Sequence, residues 1–238
     1  MNESDARFLG IGDEVVGDLR ALCALEGDSQ VLDVGCGYGR LAHALIRWAS
    51  FHGSYIGFDV LKRHVDWCTE HLAPARPGRM RFHHVNVENQ RYNPEGDVPA
   101  SELTFPVAEE WAEVVVAVSV FTHLPAVDVS AYLRQISRAL RPGRSAYVTF
   151  FLLDEELRSK SNTARLDRLL PHKLGQTARY RDSSDPLHMI AYDDRWLEAE
   201  AHAAGLVPQV TLPGTWSGRS DGVRYQDTLV LGRPSRRD

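Results

Sequence analysis

The stretch from 31 to 40, which reads VLDVGCGYGR, constrains the fold more than any other part of the chain. Its apolar residues and Asp33 predict a buried strand. Gly35, Gly37 and Gly39 then turn the chain before a helical pattern begins. Glycine tolerates positive φ angles and lets a ligand approach the backbone closely. The stretch therefore predicts a strand, a glycine loop and a helix N-terminus that together form a ligand-docking surface.

The spacing of these glycines narrows the range of ligand classes that the loop is expected to bind. Dinucleotide-binding loops carry G-x-G-x-x-G, whereas this loop carries G-x-G-x-G, with Asp33 two residues before the first glycine. A carboxylate at that position favours a cationic or amino-bearing ligand over a pyrophosphate. The loop alone would still allow a nicotinamide-dependent oxidoreductase, which stays an alternative at this point.

Polar residues follow the next two predicted strands. The strand at 55–58 ends at Asp59, where a carboxylate can accept both hydroxyls of a ribose. The alternative is that Asp59 only caps the helix predicted at 61–72. Asn86 lies at the end of the strand predicted at 81–87, and its amide can both donate to and accept from an adenine edge. Together these residues predict a nucleoside site.

Length and patterning predict one α/β domain over residues 1–238, because two domains of half that size would each have a small core. The segment 113–120 is the most apolar of the chain and predicts a central parallel strand. The last two strands, at 206–212 and 228–231, are joined by a loop too short for a crossover helix and predict an antiparallel hairpin. The other expected segments are helices at 15–25, 41–48, 129–140 and 193–204, a strand at 145–153, a surface loop at 88–110, a lid or frayed end at 7–10 and a disordered tail at 233–238.

The segment 155–192 departs from the alternation of strands and helices. Its leucines have helical spacing, and between 158 and 181 it holds seven Lys or Arg against one Asp. An insertion after the fifth strand predicts a cap over the substrate. Its positive charges either attract an anionic substrate or form a solvated face.

Three residues are candidates for a general base. His123 follows the central strand, where catalytic groups of open α/β sheets lie, although a histidine there also commonly bonds backbone groups. His188, in DPLHMIAYD, and Asp154, after the fifth strand, are the other two. His83 and His84 point to opposite faces of a strand, so they do not predict a metal site.

Charge and cysteine content limit the partners, metal sites and cellular compartment that are expected for this chain. The net charge of −5 and the dispersed basic residues give no reason to expect nucleic acid, so the expected partner is a small molecule. Three widely spaced cysteines suggest neither disulfides nor zinc, and no apolar run is long enough to span a bilayer. The sequence thus predicts a cytoplasmic protein without a metal or a membrane segment. It leaves the oligomeric state open, a homodimer included.

Over residues 29–232 the chain resembles class I S-adenosylmethionine-dependent methyltransferases. The resemblance rests on VLDVGCGYGR, YIGFDV, VSVFTHLP, the turn RPGR and the terminal hairpin. The motifs VDWC, RYNPEG, TFFLLDEE and WSGR also make it similar to a bacterial subgroup linked in part to glycan or secondary-metabolite pathways. The resemblance implies a Rossmann-like, mostly parallel seven-stranded sheet in the order 3-2-1-4-5-7-6.

The resemblance also implies a cofactor and a reaction. S-adenosylmethionine would bind with its methionine part on the glycine loop, its ribose on Asp59 and its adenine at the end of the third strand, where many relatives have aspartate instead of Asn86. The expected reaction is O-methylation of a sugar or secondary-metabolite hydroxyl, with N-methylation or a non-catalytic partner as alternatives. The expected cofactor contacts are Asp33, Gly35, Cys36, Gly37, Gly39, Asp59, Val60, Asn86, Val87 and Ser119.

Overall fold

Eleven strands and seven α-helices make up the computed structural model, which describes residues 3–159 and 162–236. The strands are β1 (Gln30–Val34), β2 (Ser54–Asp59), β3 (Met80–His84), β4 (Ala112–Ala117), β5 (Leu140–Phe150), β6 (Leu152–Leu153), β7 (His172–Leu174), β8 (Ala178–Tyr180), β9 (Ile190–Asp193), β10 (Val207–Leu212) and β11 (Asp227–Gly232). The α-helices are α1 (Glu3–Leu22), α2 (Arg40–Arg47), α3 (Lys62–His71), α4 (Ala126–Ala139), α5 (Glu155–Arg158), α6 (Thr163–Leu169) and α7 (Asp194–Ala203).

The main sheet has the strand order β3-β2-β1-β4-β5-β11-β10. When only these seven strands are counted along the chain, the order is 3-2-1-4-5-7-6, which confirms the predicted topology. The first five strands pair in parallel, and β11 pairs antiparallel with both β5 and β10. The terminal hairpin is therefore also confirmed. The strand order reverses between β1 and β4, and open α/β sheets form their ligand crevice at such a switch point.

Helices cover both faces of this sheet. The buried side chains of α1, α2 and α3 pack on one face, and those of α4 and α7 pack on the other. Strand β4 fits this arrangement because Val114, Val115 and Val116 are buried whichever face they point to. None of the helices in the described ranges is long and apolar enough to cross a membrane.

Three sequence expectations at the periphery are corrected. Helix α1 spans Glu3–Leu22, so 7–10 is neither frayed nor a separate lid. The predicted surface loop at 88–110 sends Leu103 and Phe105 into the core. In the tail, Arg233 and Arg236 form ion pairs with Glu110, so 233–236 is ordered. Residues 237–238 of the predicted disordered tail lie outside the described residues.

The insertion at 155–192 forms two short helices and most of a small second sheet. After the short helices α5 and α6, the hairpin β7–β8 adds to β9 and β6 in the order β6-β9-β8-β7. Leu157, Leu166 and Leu170 face a separate apolar cluster with Trp216. The helical spacing of the leucines agrees with α5 and α6, which hold them or end just before them, whereas the pattern did not indicate β7, β8 and β9. Residues 160–161 lie outside the described part.

Candidate active site

The carboxyl ends of β1, β2 and β4 meet at a cavity of about 240 Å³, here called cavity A. The glycine loop, the end of β2, part of the loop after β3 and the segment after β4 contribute to it. Its lining residues are Gly35, Gly37, Phe58, Asp59, Val60, Leu61, His64, Asn89, Tyr92, Val118, Ser119, Val120, His123, Leu124 and Tyr132. Sequence reasoning predicted five of these positions as cofactor contacts and one as a base.

The three glycines of the loop have different tasks. All three have positive φ angles, 66° at Gly35, 54° at Gly37 and 71° at Gly39. A Cβ at Gly39 would collide with Leu72 and Cys68, so this glycine serves the packing of α2 against α3. A Cβ at Gly37 would meet no atom within 4 Å. The loop therefore leaves its backbone open to a ligand at Gly37, while Gly39 faces the protein interior and lines neither cavity A nor its neighbour.

The Asp59 carboxylate accepts hydrogen bonds from two backbone N–H groups. Its Oδ1 accepts one of 2.8 Å from the Leu61 N–H just before α3, and its Oδ2 accepts one of 2.8 Å from the Gly37 N–H. The N-cap of α3 is Leu61, so Asp59 does not cap that helix but joins the chain before it to the glycine loop. A carboxylate offers about four lone-pair sites, so two N–H donors leave room for ligand hydroxyls. Asp59 is 8% exposed and borders cavity A.

A smaller cavity of about 120 Å³, here called cavity B, adjoins cavity A on the side of α1. Asp33 lines it and accepts a hydrogen bond of 2.6 Å from the Tyr55 hydroxyl. Burial raises the pKa of Asp33 to about 7, although this hydrogen bond and Arg40 oppose the shift. Arg40 also lines cavity B, and its buried Nε has no hydrogen-bond partner among the described residues. Cys36 lines cavity B as well, with its backbone N–H bonded to Phe58.

His123 lies in a short 3₁₀ turn directly after β4 and lines cavity A. Its Nδ1 is 2.8 Å from the carbonyl oxygen of Leu187. Because a carbonyl can only accept, Nδ1 carries a proton, and Nε2 is the basic nitrogen of the neutral ring. Burial lowers the pKa of His123, while the carbonyls of Leu187 and His188 act in the opposite direction. The ring is therefore neutral and able to accept a proton near pH 7.

The other two candidate bases lie away from cavity A. His188 is exposed on the turn that carries Leu187. Asp154 accepts the Leu157 N–H as the N-cap of α5 and forms an ion pair of 2.5 Å with Arg219. Its carboxylate is thus occupied by structural partners at the start of the insertion.

Two predicted adenine contacts are also absent from the cavity lining. β3 ends at His84, and Asn86 bonds Asp97 at 2.6 Å and Asn93 at 3.0 Å. Val87 is 1% exposed in the core. Val60 and Ser119 do line cavity A. The chain after β3 turns away earlier than its alternating pattern suggested, and this change in direction places Asn86 against its own loop.

Sequence reasoning missed several lining residues. Asn89 and Tyr92 reach cavity A because the Asn89 side chain accepts the N–H groups of Arg91 and Tyr92 and so folds the loop into a tight turn. Tyr92 then meets the His123 ring edge to face, with centroids 5.6 Å apart. Only the RYNPEG motif marked this loop in the sequence. His64 and Arg40 carried no signal beyond their helical positions.

Comparisons with known proteins support a specific family. A family model described as a methyltransferase domain matches residues 8–209. An S-adenosylmethionine-dependent methyltransferase from Methanosarcina mazei is similar in structure, with a TM-score of 0.57, 18% identity and coverage of 89% of this chain and 95% of that one. The family match spans β1 to β5 of the main sheet and favours methyl transfer over the oxidoreductase alternative.

Two further structures share the fold at low identity. The 1,6-didemethyltoxoflavin-N1-methyltransferase of Burkholderia thailandensis, with 1,6-didemethyltoxoflavin and S-adenosylhomocysteine bound, gives a TM-score of 0.59 and 15% identity over 98% of this chain and 80% of that one. The [4+2]-cyclase SpnF gives a TM-score of 0.62 and 16% identity over 94% of this chain and 82% of that one. By its family match the chain belongs to the methyltransferase domain family, and its fold is the one found in S-adenosylmethionine-dependent methyltransferases.

Proposed function

We propose that cavities A and B together bind S-adenosylmethionine. The residues present fit such a ligand: Gly37 leaves the backbone open, Asp59 has lone pairs left for hydroxyls, and the Arg40 Nε is buried with no hydrogen-bond partner in the described part of the chain. In this proposal Asp59 holds the ribose at the end of β2. Asp33 and Arg40 in cavity B hold the amino and carboxylate groups of the methionine part.

Val60, Ser119 and the backbone of the glycine loop complete the proposed cofactor contacts. Asn89 takes the place that the sequence gave to Asn86, because it lines cavity A and Asn86 does not. Its Oδ1 is already used by Arg91 and Tyr92, so its amide N–H groups are the donors available to a ligand.

The proposed reaction is O-methylation of a small-molecule hydroxyl, such as one on a sugar or secondary metabolite. When bound, S-adenosylmethionine supplies an electrophilic methyl group carried by a sulfonium. The acceptor oxygen forms the new O–CH₃ bond as the S–CH₃ bond breaks, the electron pair of that bond stays on sulfur, and the hydroxyl proton passes to Nε2 of His123. Such a base contributes about 10²- to 10⁴-fold.

One observation carries this proposal: His123 borders cavity A with its Nδ1 proton committed to the Leu187 carbonyl. That bond orients the ring and leaves Nε2 to take the proton of the substrate hydroxyl. The apolar lining at Phe58, Val118 and Leu124 keeps water from competing for the methyl group.

The test is methyl transfer from labelled S-adenosylmethionine to a panel of sugars, nucleotide sugars and phenols. His123→Ala is expected to lower transfer at least a hundredfold while S-adenosylhomocysteine binds as in the wild type, because the base is lost and the cofactor contacts remain. Wild-type turnover by His123→Ala would reject the histidine base. Transfer only to amines would favour the N-methylation alternative, and cofactor binding without transfer to any acceptor would favour a non-catalytic partner.

A further inference from the structure

A third cavity, here called cavity C, lies on the far side of Ser119 from cavity A and has a volume of about 250 Å³. It is bounded by α1, the carboxyl end of β5 and the start of β11. Val118 and Ser119 line both cavity A and cavity C, and Val15 and Arg40 line both cavity B and cavity C. The three cavities therefore form one cleft, with Ser119 at their junction. None of the described residues of the insertion lines cavity C.

A hydrogen-bond network fixes the inner end of cavity C. The Ser119 N–H donates to Thr149 Oγ1 at 2.8 Å, and the hydroxyls of Thr149 and Ser119 donate to Gln226 Oε1 at 2.6 and 3.0 Å. Ser119 has a φ of 60°, a left-handed conformation that costs energy for a residue with a side chain, so the network holds it in place. Gln226 Oε1 accepts both hydroxyls, and Nε2 has no partner among the described residues. Its two N–H groups are the donors available at the junction.

The outer end of cavity C holds one cation that has no paired carboxylate among the described residues. Arg7, Arg40 and Arg224 line cavity C together with Glu14. Of these, Arg40 also lines cavity B, where it is assigned to the cofactor. Arg224 is held by Glu14 and Asp18 in ion pairs of 2.8 and 2.9 Å. Arg7 is exposed, and no ion pair or hydrogen bond joins its side chain to the rest of the described chain.

The walls between these ends are apolar or aromatic. Ile11 and Val15 of α1 form one wall, and Tyr147 and Tyr225 lie on the other side. Tyr225 is 61% exposed at the mouth and meets the Phe151 ring edge to face. A flat apolar ligand body fits between such walls, while its polar groups meet the two ends.

We propose that cavity C binds the methyl acceptor and selects a hydroxylated aromatic carboxylate, with the hydroxyl oxygen at the Gln226 amide and the carboxylate at Arg7. This inference rests on the proposed methyltransferase function and names its substrate class. The Gln226 N–H groups hold the acceptor oxygen beside Ser119, where cavity C opens into cavity A. The carboxylate stays at the exposed mouth and gains from the positive potential there.

The experiment measures the binding of three matched probes: catechol, 3,4-dihydroxybenzamide and 3,4-dihydroxybenzoate. Binding is followed by ligand-observed NMR with the protein saturated with S-adenosylhomocysteine. We expect the benzoate to bind about fivefold or more tighter than the other two, since only it carries the charge that Arg7 recognises. Equal binding of all three, or no binding of any, overturns the proposal.

Two variants test the two ends of cavity C. Arg7→Gln should reduce the preference for the benzoate to less than twofold and leave catechol unchanged, whereas Arg134→Gln, at an exposed position on α4, should keep the preference. Gln226→Leu should weaken all three probes about fivefold through the lost hydrogen bond. Gln209→Leu is its control, because Gln209 also accepts a serine hydroxyl, that of Ser145, but lies outside the three cavities.

Further outcomes separate this proposal from the one on which it rests. If Gln226→Leu fails to fold, Gln226→Asn withdraws the amide from the junction and is expected to give the same weakening. Failure of S-adenosylhomocysteine to bind would remove the methyltransferase proposal itself. Tight binding of the benzoate that Arg7→Gln leaves unchanged would remove only the assignment of cavity C.

Discussion

Two regions of this protein were expected to form the site, and they differ in what they contribute. The ends of β1, β2 and β4 bring Gly37, Asp59 and His123 to cavity A. The insertion at 155–192 contributes none of its described residues to that lining. It contacts residues around the cavity through the Leu187 carbonyl on His123, the ion pair of Asp185 with Arg91, and the Tyr192 hydroxyl, which donates to the Leu124 carbonyl.

The difference shows which site residues a local sequence pattern can place. Parallel strands end at one edge of a sheet whatever their side chains, so residues that follow them meet there by geometry. An insertion has no such constraint, and this one buries part of its apolar side chains in a separate cluster around Leu170 and Trp216, and others, such as Ile190, in the main core. Two of its arginines form ion pairs: Arg158 pairs with Asp193 and Asp194, and Arg179 pairs with Asp167. The insertion supports the site from outside.

The largest effect on cofactor binding is expected at the end of β2. Asp59→Ala removes the proposed ribose contact and the bond that fixes Gly37, so S-adenosylmethionine affinity measured by calorimetry should fall more than tenfold. Asp66→Ala is a matched control, because Asp66 pairs with Lys62 on the exposed side of α3. Unchanged affinity in Asp59→Ala would place the cofactor elsewhere.

The next effect is a pH dependence of stability, which is expected from the buried carboxyl of Asp33 at the end of β1. The carboxylates of the insertion that form ion pairs are not expected to cause it. Burial raises the pKa of Asp33 to about 7, whereas an unfolded Asp titrates near 4. A raised carboxyl pKa means that its stability contribution is complete below the unfolded value and is lost as the pH rises towards 7. Relative to Asp33→Asn, the wild type should lose about 1 kcal/mol of unfolding free energy per pH unit between pH 4 and 7.

Urea unfolding of both proteins at several pH values measures this difference. Asp13→Asn, at an exposed position on α1, is the control and should follow the wild type. Parallel curves for wild type and Asp33→Asn would mean that Asp33 is ionised in the folded protein, with Arg40 as its counter-charge.

A smaller effect tests the support that the insertion gives. Asp185→Asn breaks the ion pair with Arg91, which joins the Tyr92 loop to the turn that carries Leu187. Methyl transfer should fall about two- to fivefold, as expected for a partly exposed ion pair, with S-adenosylhomocysteine affinity unchanged. Asp167→Asn removes another ion pair of the insertion, to Arg179, and should leave transfer as it was. Equal losses in both variants would point to general destabilisation instead.

The smallest effect is expected at His188. Because its side chain is exposed and away from cavity A, His188→Ala should keep methyl transfer within twofold of the wild type. The comparison with His123→Ala then isolates the ring that faces the cavity. A large loss in His188→Ala would show that the insertion moves over cavity A during turnover.

The sequence by itself determined the sheet, its strand order through the family resemblance, and the residues at or shortly after the ends of β1, β2 and β4. Gly37, Asp59 and His123 could be predicted because a buried strand fixes where the chain leaves the sheet. Tertiary structure alone decided the rest: that Asn86 turns to Asp97 and Asn93, that Asn89 and Tyr92 reach the cavity, and that His188 does not. Those outcomes depend on contacts between segments far apart in the chain, and no local pattern of residues contains that information.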